Sequence, residues 1–207
     1  MNASRRLTAC FIVFAISSLS CGLVPLKRDA VGVADASLTP APVEIGAGAI
    51  AAERVFGRLN SGLLPEEVSR LSLAIAAESR RAGLPIELVL AVILVESDGY
   101  NFAVSEVGAM GLMQLMPSTA EAVARQVGLL WEGPVTLFDP VSNVRLGVFY
   151  LHRLIERYGS LTTALAAYNW GPTRIAKRLQ RGEPIPAAYA GRVLLVYGEA
   201  KSAALQI

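Results

Sequence analysis

The segment Ile86-Glu-Leu-Val-Leu-Ala-Val-Ile-Leu-Val-Glu96-Ser97 constrains this chain more than any other stretch. After Glu87 it is apolar on nearly every side, and a helix without a polar face is buried rather than amphipathic. It is therefore expected as the central helix of a domain, with the remaining helices packed round it. Its last turn carries Glu96, set behind a run of hydrocarbon. An ionised carboxylate is costly to bury, so Glu96 is expected either to be paired or to hold a proton near neutrality.

The chain has material for such a domain: 207 residues, of which 53% are hydrophobic, enough for one substantial core. Nineteen Lys and Arg against seventeen Asp and Glu leave a net charge of +2. That balance excludes a protein whose affinity comes from neutralising nucleic-acid phosphates. The cysteines, Cys10 and Cys21, both lie in the first tenth of the chain, so neither a disulfide framework nor a cysteine-based zinc site can form in the body. A single histidine, His152, makes a histidine-rich metal site equally remote. No metal or other cofactor is expected.

The first sixty residues read differently from the rest. Arg5 and Arg6 form a positive start, and Leu7 to Leu19 is mostly apolar and ends in small residues, the pattern of a secretory signal over residues 1–20. The apolar run is shorter than the ~18–20 residues that cross a bilayer as a helix. Ser18-Leu-Ser-Cys21-Gly resembles a bacterial lipoprotein cleavage site, although Ser18 stands where Leu is usual. Cys21 is thus either a lipid attachment point or a bystander of ordinary signal cleavage. Removing residues 1–20 takes two arginines and no acids, so the count becomes 17 against 17 and the mature chain is formally neutral. Residues 21–62, rich in Ala, Gly, Val and Pro, show no sustained period and are expected as a tether, with a short helix near 49–58.

From Leu64 onward the punctuation is helical, most segments opening on Pro in the first turn and closing on Gly. Helices are expected from Pro65 to Arg81, from Pro85 to Glu96, from Pro117 to Val127 and from Pro140 to Tyr158, with three shorter ones at about 161–169, 172–181 and 186–204. Between and after them lie three chemically distinctive segments. Gly108-Ala-Met-Gly111-Leu-Met113-Gln114-Leu-Met-Pro117 places one amide side chain in a glycine-bounded apolar turn. Ala167-Tyr168-Asn169-Trp170-Gly171-Pro172 packs polar and aromatic groups into a helix-to-helix corner, and Tyr189 follows near the end.

Taken with Glu96-Ser97, these segments resemble, in order and spacing, the motifs of the soluble lytic transglycosylase catalytic domain, a relative of goose-type lysozyme. The resemblance covers about residues 80–200. It implies a mainly α, lysozyme-like helical domain over residues 63–207, preceded by the signal peptide and flexible tether. The implied substrate is the glycan strand of peptidoglycan, cut at the β-1,4 bond between N-acetylmuramic acid and N-acetylglucosamine. An export signal suits that substrate, and with a lipid on Cys21 the enzyme would work in the periplasm, anchored to the outer membrane.

The resemblance also assigns roles. Glu96 is the proton donor, its pKa raised by the apolar run before it. It then takes a proton from the sugar's own C6 hydroxyl, which closes a 1,6-anhydro ring. Ser97 and Gln114 match positions that hydrogen-bond near the acid and the acetamido group. Met113 matches an apolar wall of the cleft, Tyr168 and Asn169 its lining, and Tyr189 a phenol near the acid. Structural alternatives stand beside these: Met113 as core filler, Asn169 as a helix C-cap, Tyr168 and Tyr189 as half-buried packing. Asp98 and Glu106 are the nearby acids that could hold a water for hydrolysis, or simply solvated loop residues. Two departures from the family's pattern stand out: Trp170 occupies the place of a small residue, either as a sugar-stacking face or as packing in a local gap, and Ile185-Pro186 replaces a Glu-Thr pair. Elsewhere, His152 and Glu156 have the spacing of a surface pair, and Arg174, Lys177, Arg178 and Arg181 that of a solvated helix face.

Overall fold

The computed structural model describes residues 42–204. The expected signal peptide, Cys21 and the first half of the expected tether lie outside the described residues. Eight α-helices make up most of the described chain: α1 Pro42–Phe56, α2 Pro65–Ala82, α3 Ile86–Ser97, α4 Pro117–Val127, α5 Pro140–Tyr158, α6 Leu161–Trp170, α7 Pro172–Gln180 and α8 Ala188–Ala204, with one 3-10 turn at Pro134–Phe138. Extended pairing among the described residues is limited to isolated antiparallel bridges, Val104 with Met110 and Met110 with Leu115. None of the described helices is long and apolar enough to cross a membrane.

The punctuation acts as its chemistry requires. Gly83, Gly128 and Gly159 close α2, α4 and α5 at a φ of 63°, a left-handed conformation that costs a residue without Cβ little. Asp139 caps α5 by accepting from the Ser142 N–H at 2.7 Å. Helix α8 begins at Ala188 rather than at Pro186, because Pro184-Ile-Pro186 holds the approach extended: the residue before a proline is pushed out of the helical region.

Helix α3 is the centre, as its composition demands. Leu88 to Ile93 are all buried, enclosed chiefly by α2 and α8. Helix α5 packs against α2, α4 and α6, and the core continues through Leu112, Leu115, Leu146, Leu151, Leu165 and Ile175.

The tether expected over residues 21–62 needs correction in its second half. Helix α1 lies along α2 and belongs to the same compact unit. Ala49, Ala52 and Phe56 are buried at helical spacing, and Ser69 of α2 donates to Glu53 Oε1 at 2.6 Å. Gly48 lies so close to α2 and α3 that a Cβ there would meet Ile86 Cδ1 at 3.2 Å. A face of alanine and glycine gives a weak hydrophobic period, which is why the helix reads as linker; the same small residues let two helices approach closely. Phe56, 2% exposed, anchors this contact, and Phe56→Ala is expected to destabilise the fold by about 3 kcal/mol, read as a lowered urea midpoint. An unchanged midpoint would return α1 to the tether.

Candidate active site

Glu96 sits in the last turn of α3, where the helix emerges from the core, and is half-buried. Tyr189, in the first turn of α8 and 4% exposed, donates its hydroxyl to Glu96 Oε1 at 2.6 Å. The chain separation between the two is 93 residues. The packing of α8 on α3 closes it. Burial raises the Glu96 pKa from its ordinary 4.5 to about 7, against the opposing effects of the Tyr189 hydrogen bond and the positive charge of Arg192. The same burial, with the Glu96 carboxylate beside it, pushes the Tyr189 phenol well up. The pair therefore consists of a carboxyl poised between its two protonation states near neutrality and a phenol that stays a donor.

Beneath the acid lies the loop that joins α3 to α4. Ser97 donates to Leu112 O at 2.8 Å and lies 3.1 Å from Ile93 O, so it ties the end of α3 to this loop. Gln114 adopts a left-handed φ of 46°; its Nε2 donates to Gly111 O at 2.9 Å and Ala103 O at 3.1 Å. Tyr168, buried on α6, donates its hydroxyl to Met113 O at 2.8 Å. Its pKa is raised well above the ordinary value by burial and then by the charge on Glu96. The Met113 side chain is fully buried, packed so closely on Gly147 of α5 that a Cβ there would collide with its sulfur. Met116, 40% exposed, is the loop methionine with surface to offer. Asn169 is exposed in the last turn of α6; the C-cap of that helix is Gly171.

One residue that organises the site, Asn143, was not legible in the sequence, and it explains why the loop needs Gly111. Asn143 of α5, fully buried, accepts from Met113 N at 2.8 Å and donates to Met110 O at 3.1 Å and Leu137 O at 3.0 Å. Gly111 fits only because it lacks Cβ: one would collide with the Asn143 amide and Leu137 O, and its φ is 78°. An asparagine within an amphipathic helix carries no local sign that three loop groups converge on it.

The remaining candidates fall away from the acid. Asp98 is the exposed left-handed cap of α3, and Glu106 is exposed on the loop. His152 and Glu156 form a surface pair at 3.5 Å. A groove of about 530 Å³ runs along α4 and α5, with Thr119, Tyr150, Arg153, Arg157 and Pro172 in its lining. Its Tyr150 ring lies in tilted contact with that of Tyr168 on α6, the centroids 5.4 Å apart.

Two outcomes follow from the perturbed acid. Below about pH 4 both folded and unfolded chains hold the Glu96 proton. Between the unfolded value of 4.5 and the folded value of about 7 only the folded chain holds it, so this stabilisation is lost as pH rises through that window. Relative to Glu96→Gln, wild-type stability is expected to drop by on the order of 3 kcal/mol from about pH 4 to pH 8, measured by urea unfolding; parallel curves would refute the buried-acid reading. Tyr189→Phe removes the hydrogen bond that favours the carboxylate, so the Glu96 midpoint is expected to move above about 7 in a carboxyl-carbon NMR titration. A midpoint that fell would reverse the assignment.

Residues 73–184, more than half of the chain, match the family described as the Transglycosylase SLT domain. A protein named transglycosylase from Enterobacteria phage PRD1 is 36% identical over 124 residues, which are 60% of this chain and 43% of that protein. The membrane-bound lytic murein transglycosylase C of Cronobacter sakazakii is 34% identical over 140 residues, 62% of this chain and 34% of its own. The 70 kDa soluble lytic transglycosylase of Escherichia coli shares the fold with a TM-score of 0.50 at 23% identity, over 79% of this chain and 28% of that one. This chain thus spans less than half the length of each of these proteins. The matched span runs from within α2 to the turn before α8 and takes in Glu96, its loop and Tyr168; on that match, the chain belongs to the SLT domain family of transglycosylases.

Proposed function

We propose that this protein is a peptidoglycan lytic transglycosylase that cleaves the β-1,4 bond between N-acetylmuramic acid and N-acetylglucosamine and leaves 1,6-anhydro-muramoyl ends. The observation that carries the reading is a single carboxyl, raised to about 7, held by a phenol at 2.6 Å. With Oε1 engaged by Tyr189, the Glu96 proton resides on the other oxygen, from which it passes to the glycosidic oxygen as the C1–O bond breaks. The departing sugar leaves with a hydroxyl, and positive charge develops at C1 of the muramoyl residue. Glu96, now a carboxylate stabilised by the Tyr189 donor, removes the proton of the C6 hydroxyl as that oxygen bonds to C1. The acid is restored and no water is consumed.

This route needs one group that can donate and then accept, which a carboxyl with a pKa near the working pH does best. Hydrolysis would need a second carboxylate to hold a water, and Asp98 and Glu106 are exposed. The groove along Tyr150 and Thr119 offers room for further sugars of the strand. In this reading Gln114 Oε1 meets an acetamido N–H, and Asn169 lines the cleft. Ser97, with its bonds to backbone, places the acid. The reading extends to location: residues 1–20 direct export, and Cys21 carries the lipid that holds the enzyme at the outer membrane, which agrees with the membrane-bound name of one relative.

Mass spectrometry of the soluble products released from purified peptidoglycan tests the chemistry. Muropeptides one water lighter than reducing-end products are expected from the wild type and none from Glu96→Gln, with the fold intact. Reducing ends would assign the enzyme to hydrolysis instead.

A further inference from the structure

The corner between α6 and α7 holds an exposed aromatic group that the chemistry above does not use. Trp170 ends α6 and is 40% exposed, which is too open for a core residue. Trp131, the other tryptophan of the chain, packs against the core. The Arg174 guanidinium lies over the Trp170 ring, 5.2 Å from its centroid. Gly171 turns the chain between them with a φ of 85° and a ψ of 138°, a conformation that sets the first turn of α7 back over the indole. Arg178 and Arg181 are engaged instead at the following turn, paired with Glu183 at 3.6 Å each.

The corner adjoins the groove along α4 and α5. Two residues before Trp170, the Tyr168 ring meets that of Tyr150, a lining residue of the groove, at a tilt of 46°; two residues after it, Pro172 lines the same groove, its carbonyl held by the Tyr158 hydroxyl at 2.9 Å. Asn169, the neighbour of Trp170, is exposed as well. A ring at this point presents two faces. One is braced by the guanidinium, in a geometry that costs the protein little ordering when a ligand arrives. The other is negative at its centre and suits the polarised C–H bonds of a pyranose ring.

We propose that Trp170, held by Arg174, is a sugar-stacking platform that binds a pyranose of the glycan strand beyond the residues joined at the scissile bond. This rests on the glycan-cleaving function proposed above and adds to it a determinant of strand length. Trp170 contacts substrate; Arg174 is a positioning residue that acts through the indole. The platform grips the strand equally before and during bond cleavage, so its loss raises KM and leaves kcat nearly unchanged.

The test measures steady-state cleavage of purified peptidoglycan by the full chain and its variants. Trp170→Ala is expected to raise KM about tenfold with kcat within about twofold, Trp170→Phe to recover most of the loss, and Arg174→Ala to fall between. Wild-type KM and kcat in Trp170→Ala, or a loss confined to its melting temperature, would overturn the proposal. A second measurement separates it from the catalytic reading: in a Glu96→Gln, Trp131→Phe background Trp170 is the sole tryptophan, and N-acetylglucosamine hexamer is expected to change its fluorescence saturably while the dimer does not. If the wild type cleaves no peptidoglycan but the hexamer response is present, the catalytic reading fails and the platform stands. No response to the hexamer overturns the platform whatever the activity.

Discussion

The hydrogen bond between Tyr189 and Glu96 is the constraint on which the site depends. A carboxyl at the end of an apolar helix loses hydration whichever proton state it holds, and the charged state loses more. Burial alone would hold the group in its neutral form to a higher pH. The phenol offsets part of that cost by donating to Oε1, and Arg192 adds a weaker contribution of the same sign. The result is a balance close to neutrality, the condition that a group serving first as acid and then as base requires.

That balance holds only if α3 and α8 keep their relation to the loop below them. The loop between α3 and α4 carries little regular structure, and its backbone groups are satisfied instead by side chains that converge from three helices, Ser97 of α3 on Leu112, Asn143 of α5 on Met110 and Met113, and Tyr168 of α6 on the Met113 carbonyl, with Gln114 adding bonds from within. These bonds satisfy groups whose unpaired burial would cost about 1–3 kcal/mol each; Asn101, on the same loop, donates to Phe138 O and leaves its Oδ1 without a protein partner. Gly111 and Gly147 supply the closeness that this convergence needs, one under Asn143 and the other under Met113. Several residues that a motif presents as substrate contacts therefore also support the loop, Met113 and Ser97 most clearly.

The periphery adds two features to this frame. Helix α1 covers one side of α2 and brings Phe56 into the core, so the folded unit begins well before the first strongly periodic segment. The α6–α7 corner carries Trp170 and Arg174 on either side of Pro172, which lines the groove.

Much of the fold was legible without coordinates. Pro and Gly signals placed α2, α4, α5, α6 and α7 to within a residue or so, because they act on backbone conformation and need no tertiary partner. The apolar run before Glu96 predicted a central helix and a perturbed acid, since burial and its effect on a charge follow from composition alone. Features decided by juxtaposition were out of reach of the residues' own local pattern; that Tyr189 lies near Glu96 was expected only through the family resemblance, and the burial of Met113 only as one of two alternatives. The contact of Tyr189 with Glu96, the convergence of Asn143 on the loop, the burial of Met113 beside an exposed Met116, and the packing of α1 through alanine and glycine all depend on which surfaces meet. Local sequence specifies how a backbone turns and which faces avoid water; only the packed chain determines which polar group ends within hydrogen-bond distance of which, because that distance is set by elements far apart in sequence.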